Sequence, residues 1–335
     1  MAKATLSRVI DEAPPVEIRP AGRADRSAIL SLLTEQMGWV GHVPAADFFA
    51  WKHDQNVFGI SPAWGAWDEG RLVGFRTMLR WQFVVDGKTV EGFRPVDTVT
   101  DPSVRRRGVF RALTLRAMDD LRASHPDALI FNTPNLQSRP GYLKMGWTEL
   151  GRPKTWTQVR RITALPSMAR SRVPAERWSQ PAEAGVSIEV ALDDEVGMKH
   201  LLFSQPDSSL LRTRLSPEFL RWRYGFGPLR YRVITGRGGV RDGIVVVRAR
   251  RRGAVLETVV SDVILPDGVA VGGSRLIAQA GRAMKGDYVL HVGSRPGRSW
   301  MRLAHGPVLT ARTLSASAPP PLAAWDLRLG DIELF

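Results

Sequence analysis

Residues 94–110, RPVDTVTDPSVRRRGVF, bring reactive side chains together with the local signals that would position them. An apolar run over 96–100 reads as a strand. A turn at Asp101-Pro102 follows, then a basic loop, Arg105-Arg106-Arg107-Gly108, and a helical pattern from Phe110. A strand feeding a glycine-containing loop and a helix N-terminus is a device for holding phosphates. The first amides of a helix have no intrahelical partner, and the helix dipole adds positive potential at the same point. Gly108 lets the backbone approach a ligand with no Cβ in the way. The three arginines place charge where a pyrophosphate needs it. The same letters also suit an arginine cluster capping an ordinary helix. With one glycine, the loop is neither a P-loop nor a dinucleotide fingerprint.

Proton-transfer candidates surround this stretch. Asp97 is the one acid within the strand. It suits a general base acting through water, an anchor for a cationic acceptor, or a buried partner for an arginine such as Arg94. Glu91 and His53 are further base candidates. Downstream, 128–132 is an apolar run that suits a buried strand. A loop with Asn135 follows, and then Gly141-Tyr142-Leu143-Lys144-Met145-Gly146-Trp147.

The basic loop resembles the acyl-CoA loop of the GNAT superfamily of N-acyltransferases, R/Q-x-x-G-x-G/A, at the end of the fourth strand. Arg105 and Gly108 fit. Phe110 stands where glycine or alanine is usual, as in an R-x-x-G-[IV]-F branch. Residues 142–147 resemble the second signature, Y-x-K-x-G-F/W, in the expected order. The resemblance covers about residues 16–160. It implies acetyl-CoA, or another short acyl-CoA, as co-substrate. It also implies a mixed sheet that splits after its fourth strand, so that the acyl arm lies in the gap. The implied binding residues are Val99, Thr100, Arg105, Arg106, Arg107, Gly108, Val109 and Phe110, largely through backbone amides. Asn135 would be directed toward CoA directly or through water, or be a plain turn asparagine. Tyr142 would protonate the departing thiolate, or simply pack.

Composition bounds the rest. The chain has 335 residues and a hydrophobic content of 44%, which suits two domains with a core in each. It has no cysteine, which excludes disulfides, thiolate catalysis and cysteine-ligated zinc. Six histidines without an H-x-x-x-H pair point away from a metal. No secretory core and no run of about 18 apolar residues is present, so the chain reads as soluble and cytoplasmic. A net charge of +14 suits a nucleic acid, a peripheral contact with an anionic membrane, or an acidic cofactor and substrate. It equally suits no partner, in an arginine-rich proteome.

The elements that must position these residues read as α/β with a mixed α+β sheet. The expected order is a leader (1–15), a catalytic acyl-CoA domain (16–163), a proline-rich linker (164–184) and a second, degenerate GNAT-like domain (185–335). The second half echoes the first. Trp222 follows Trp51 by 171 residues (222 − 51), and Asp262 follows Asp97 by 165 (262 − 97). The tetrad Ser-Arg-Pro-Gly recurs after 156 (294 − 138). Residues 186–190 parallel the opening strand at 16–20. The second copy lacks an arginine loop; Asp267-Gly268-Val269 begins its counterpart.

These readings converge on an acyl-CoA-dependent N-acyltransferase. Its acceptor would be a primary amine on a small or carrier-linked molecule such as an amino sugar. The arginines at 248 and 250–252 are expected to attract an anionic carrier. A tandem aminoacyltransferase of the peptidoglycan-bridge type, using aminoacyl-tRNA, is the alternative, but it does not need the CoA loop. A non-catalytic CoA-binding protein is a further alternative.

Overall fold

The computed structural model describes residues 16–39, 41, 43–170, 173–266 and 270–333. The leader and Asp267-Gly268-Val269 lie outside the described residues. The strands of the first half are β1 (Glu17–Pro20), β2 (Ala63–Asp68), β3 (Arg71–Val85), β4 (Lys88–Thr100), β5 (Leu129–Asn132), β6 (Thr148–Gly151) and β7 (Thr155–Val159). Those of the second half are β8 (Arg212–Thr213), β9 (Arg232–Gly236), β10 (Gly239–Arg252), β11 (Val255–Ile264), β12 (Tyr288–Val292), β13 (Met301–Arg302) and β14 (Leu309–Thr313). They build two mixed sheets. One runs β1-β2-β3-β4-β5-β14-β6 with β8 on β3; the other runs β13-β7-β12-β11-β10-β9. Among the described residues no helix is long and apolar enough to cross a membrane.

The hairpin β3–β4 is the spine of the first sheet. Its turn, Asp86-Gly87, has φ of 46° and 71°, the two left-handed residues that a two-residue hairpin needs. Pairing stays in step from Val85↔Lys88 to Thr77↔Val96, then jumps to Phe75↔Val99. Asp97 and Thr98 therefore stand opposite Arg76 alone. This is a β-bulge, with Asp97 at φ 47°. On its other edge β4 pairs β5 in parallel only at Gly92↔Leu129 and Phe93↔Ile130. Beyond Phe93 the two strands part, and the sheet splits as expected.

The same plan recurs in the second sheet. β10 and β11 pair antiparallel with a shift between Val246↔Asp262 and Val247↔Val260, so a bulge again sits beside the equivalent aspartate. β11 and β12 run parallel around helix Ala270–Ala283, and their pairing ends at Val259↔Leu290. The two tryptophans matched in sequence meet in space. The Trp51 indole donates to the Trp222 carbonyl at 2.6 Å, and the Trp222 indole donates to the Trp51 carbonyl at 2.8 Å. A contact in which each residue does to its counterpart what is done to it is what a twofold relation between two copies produces.

Several sequence expectations change. The segment parallel to β1 is mostly helix, Ile188–Leu192, because the Ser187 side chain caps it by accepting from the Val190 amide. Only Val186 keeps a bridge, to Val233. Residues 164–184 lie along the second sheet: helix Leu165–Arg170 is followed by backbone bonds from Glu176 to Arg251 and from Gln180 to Ala249. Residues 325–331 form a single bridge, Leu211↔Trp325, and then helix Leu329–Ile332, where a strand was expected.

The sheets also do not divide at residue 163. β7, from the first half, pairs with β12 in the second sheet. β14, from the far end of the chain, inserts between β5 and β6 in the first. A fragment ending at 163 leaves β6 without its partner and an open edge on β5, a template for aggregation. That fragment is expected to aggregate or to melt without a cooperative transition by circular dichroism and light scattering. A monodisperse fragment with a sharp transition would contradict the exchange.

Candidate active site

The bulge on β4 and the residue facing it, Arg76, anchor two clusters. The first is built by helix Ala45–Phe49 and its continuation as a π-helix, Ala50–Asp54. Wider turns of this kind concentrate at functional sites. They present Lys52 and His53, both buried, to Asp97. Lys52 Nζ donates to Asp97 Oδ1 at 2.9 Å, and His53 Nε2 lies 2.7 Å from Asp97 Oδ2. Burial alone would raise the Asp97 pKa, but the Lys52 ammonium and the His53 hydrogen bond outweigh it and hold it at about 2. Burial pulls Lys52 down against the opposing pull of Asp97. It pulls His53 down in the same way. The imidazole is therefore neutral near pH 7. An ionised Asp97 accepts from Nε2–H, which leaves the lone pair on Nδ1, and Nδ1 has no hydrogen-bond partner.

Asp97 is thus ionised near pH 7 and orients the imidazole, whose Nδ1 keeps its lone pair. Its expected arginine partner is elsewhere: Arg94 donates to the Ile332 carbonyl at 2.6 Å, to the Asp331 carbonyl and to Thr133. Glu91 is far from this cluster in role, since it pairs with His125 Nδ1 at 2.9 Å.

The second cluster lies on the side of helix Val109–Ser124. Tyr142, on helix Arg139–Lys144, is buried, and its phenol oxygen accepts from Arg76 Nη2 at 3.2 Å. Phe110 meets Tyr142 edge to face at 5.4 Å. A Cβ on Gly141 would come within 3.0 Å of the Phe110 ring. The bulky Phe110 and the glycine of the tetrad therefore require each other.

The basic loop has the geometry of an anion site. Gly108 is the N-cap of helix Val109–Ser124 at φ 76°, and an added Cβ there would meet nothing. Arg105, Arg106, Arg107 and Gly108 are exposed, Val109 is buried and Phe110 is half-buried. The amides of Arg105 and Arg107 are already bonded, to the carbonyls of Pro102 and Val104. Arg106, Gly108, Val109 and Phe110 keep theirs without a backbone partner among the described residues. Arg107 is tied to Asp68 at 2.9 Å. Val99 pairs with Phe75, and Thr100 with Gly74, just before this loop. Asn135 is a cap: its Oδ1 accepts from Gln137 N, Ser138 N and Ser138 Oγ, so that oxygen is committed to the turn.

Two expectations shift. The arginine run is not an outward-facing field. Arg248 is buried against Glu333, Arg250 bonds Glu257 and Glu333 at 2.7 and 2.6 Å, and Arg252 bonds Glu257. Of the run, only Arg251 is exposed. Sequence reasoning also passed over Lys52 and Arg76. The available signal was a charged residue inside an apolar strand or helix pattern, which must be paired or functional.

The second copy keeps the frame and changes the chemistry. Tyr224 stands where His53 does and donates to Asp262 Oδ2 at 3.0 Å, while Arg328 donates to Asp262 Oδ1 at 2.6 Å. At its split lies a cavity of about 250 Å³, lined in part by Ser261, Asp262, His291 and Arg328.

A family profile described as an acetyltransferase (GNAT) domain matches residues 17–150. No curated protein matches the chain. Three solved structures share its fold at low identity. A GCN5-related N-acetyltransferase from Anabaena variabilis matches with a TM-score of 0.60 at 13% identity, over 89% of this chain and 73% of its own. One from Kribbella flavida matches with a TM-score of 0.59 at 15% identity, over 89% and 72%. Eis1 from Mycobacterium abscessus matches with a TM-score of 0.53 at 16% identity, over 89% and 74%.

Asp97→Asn removes the carboxylate facing buried Lys52. It is expected to cost about 3–5 kcal/mol in urea unfolding, the usual result of leaving one member of a buried pair. Adding Lys52→Met to that variant should recover much of the loss. In the wild type, Asp97 stabilises the fold above the ordinary carboxylate pKa, and the contribution disappears as pH falls toward about 2. A loss below about 1 kcal/mol in Asp97→Asn would contradict this account.

Proposed function

We propose that the chain carries a GNAT acetyltransferase domain over residues 17–150, the span that the family profile matches. From that premise we propose that it moves an acyl group, acetyl or similarly short, from acyl-CoA to a primary amine of a small or carrier-linked acceptor such as an amino sugar. One observation supports this most. β4 leaves β5 beyond Phe93, bulges at Asp97, and runs straight into the Gly108 helix N-terminus. The parting of the strands, the Asp97 bulge that holds His53 and the helix N-terminus therefore follow one another along one stretch of chain.

The residues present fit acyl-CoA. Unpartnered amides at Arg106 and Gly108–Phe110, together with Arg105 and Arg106, would hold its phosphates. Bound there, it supplies the thioester carbonyl. His53 Nδ1 takes a proton from the acceptor ammonium or amine, and Asp97 fixes the tautomer that makes this nitrogen the acceptor. Tyr142 gives its phenol proton to the sulfur as the carbon–sulfur bond breaks. A base and an acid on separate elements divide the two proton transfers that aminolysis requires.

The acceptor is the less constrained part. Internal ion pairs consume most of the arginine run, so it no longer favours an anionic carrier. What supports a bounded acceptor is the aromatic cluster beside the turn that carries Lys52 and His53. Phe48 packs against Trp178 and Phe226, with ring centroids 5.3 and 6.1 Å away, and Trp51 is bonded to Trp222. The second domain thus narrows the approach for a folded or tail-like protein substrate.

In a CoA-release assay over amino sugars, amino acids, polyamines and basic peptides, turnover should fall on the small amines. Turnover confined to basic peptides or polyamines would refute that acceptor class. His53→Gln should lower kcat/KM about 100- to 10,000-fold, the usual worth of a general base, with acetyl-CoA binding unchanged. Because burial lowers the His53 pKa, the acid limb of the wild-type pH profile should lie below the ordinary histidine range. A His53→Gln variant with wild-type turnover would contradict the assignment.

A further inference from the structure

Arg76 sits mid-strand on β3, opposite the bulge, with none of its surface exposed. Its Nη2 donates to the Tyr142 oxygen. Its guanidinium lies 5.0 Å from the Phe110 ring centroid and 5.5 Å from that of Tyr142. Nε and Nη1 have no hydrogen-bond partner. Other buried arginines are answered by acceptors: Arg223 by the Gly330 carbonyl and Arg248 by Glu333. No ion pair among the described residues includes Arg76.

Burying an arginine's charge without a counter-ion is costly. An apolar side chain of similar length would fill the position without that penalty. The aromatic faces offset part of the cost, but they do not use the two unbonded N–H groups. The charge therefore suits an anion that is present only during turnover. Bonded to the phenol oxygen, Arg76 also occupies an acceptor site on it, which leaves the Tyr142 O–H to donate elsewhere.

We infer that Arg76 is a positioning residue for thioester cleavage, the fixed counter-charge for the anion that forms beside Tyr142. The inference rests on the acyl-CoA reading and on Tyr142 as the acid. In the step concerned, the amine nitrogen bonds to the acyl carbon and the carbon–sulfur bond breaks, its electron pair going to sulfur. The sulfur takes the phenol proton and leaves a phenolate that faces Arg76. The proton released by the amine through His53 returns to the phenolate by way of solvent. Before proton transfer the charge is on sulfur, and afterwards it is on the tyrosine oxygen. Arg76 stabilises both.

The test is calorimetric binding of CoA and of desulfo-CoA, which lacks the sulfur, at pH 6.5 and pH 9. A free thiol titrates near 8.5, so free CoA is largely thiolate only at the higher pH. Wild type should favour CoA over desulfo-CoA by about tenfold more at pH 9 than at pH 6.5, the scale of a buried hydrogen bond to a charged group. Arg76→Met should bind desulfo-CoA like wild type and lose that pH-dependent preference. Arg76→Lys should keep part of it. In turnover, Arg76→Met should lower kcat about tenfold or more at an unchanged KM for acetyl-CoA. Undiminished thiolate preference in both variants would overturn the inference. Binding of neither ligand by wild type would overturn the acyl-CoA reading, and this inference with it.

Discussion

The buried carboxylate of Asp97 is the constraint on which the other features of the site depend. It sits on a bulge at positive φ, a region that aspartate tolerates better than most residues but that its surroundings must help to hold inside a strand. Lys52 and His53 do so, and both belong to the π-helical turn that also carries Trp51. Through Trp51 the same turn is fixed to Trp222 in the other half of the chain. One ion pair therefore sets the bend of β4, the orientation of the candidate base and the seat of the second domain. Each hydrogen bond contributes only about 1 kcal/mol net, but none of the three elements can move without breaking several at once.

The second half shows which part of this arrangement is architecture and which is chemistry. Asp262 is held from both oxygens, as Asp97 is, but by Tyr224 and Arg328. Burial raises the Tyr224 pKa well above its usual value, so that group offers no base near neutrality. The aspartate with its two donors is therefore the scaffold common to both copies. A buried imidazole whose Nδ1 has no hydrogen-bond partner is the element specific to the first copy, which also holds the arginine loop. The imidazole and the arginine loop fall in the same half.

Much of this was legible because it is local. The candidate anion loop announces itself by a strand, a glycine and a helix in succession. The β3–β4 turn announces itself by Asp86-Gly87. The tandem plan was readable from Trp51/Trp222 and Asp97/Asp262 because equivalent residues keep equivalent neighbours. What was not legible depends on contacts between residues far apart. The bulge has no glycine to mark it. The exchange of β7 and β14 between sheets is a choice among strands of similar pattern. The arginine run read as a surface field because its partners, Glu257 and Glu333, are set by topology. Arg76 reads in sequence as an ordinary strand residue because Tyr142, which lies against it, is 66 residues away along the chain.

The central claim is that the first half alone binds an acyl-CoA at the Gly108 loop. Calorimetric titration of the full chain with acetyl-CoA tests it most directly, alongside Gly108→Glu. Space for a side chain is open at that position, so the variant should fold while placing a carboxylate in the anion site, at the cost of φ strain. The account predicts one acetyl-CoA per chain for the wild type and none for the variant. Two per chain, or binding that survives the substitution, would contradict it.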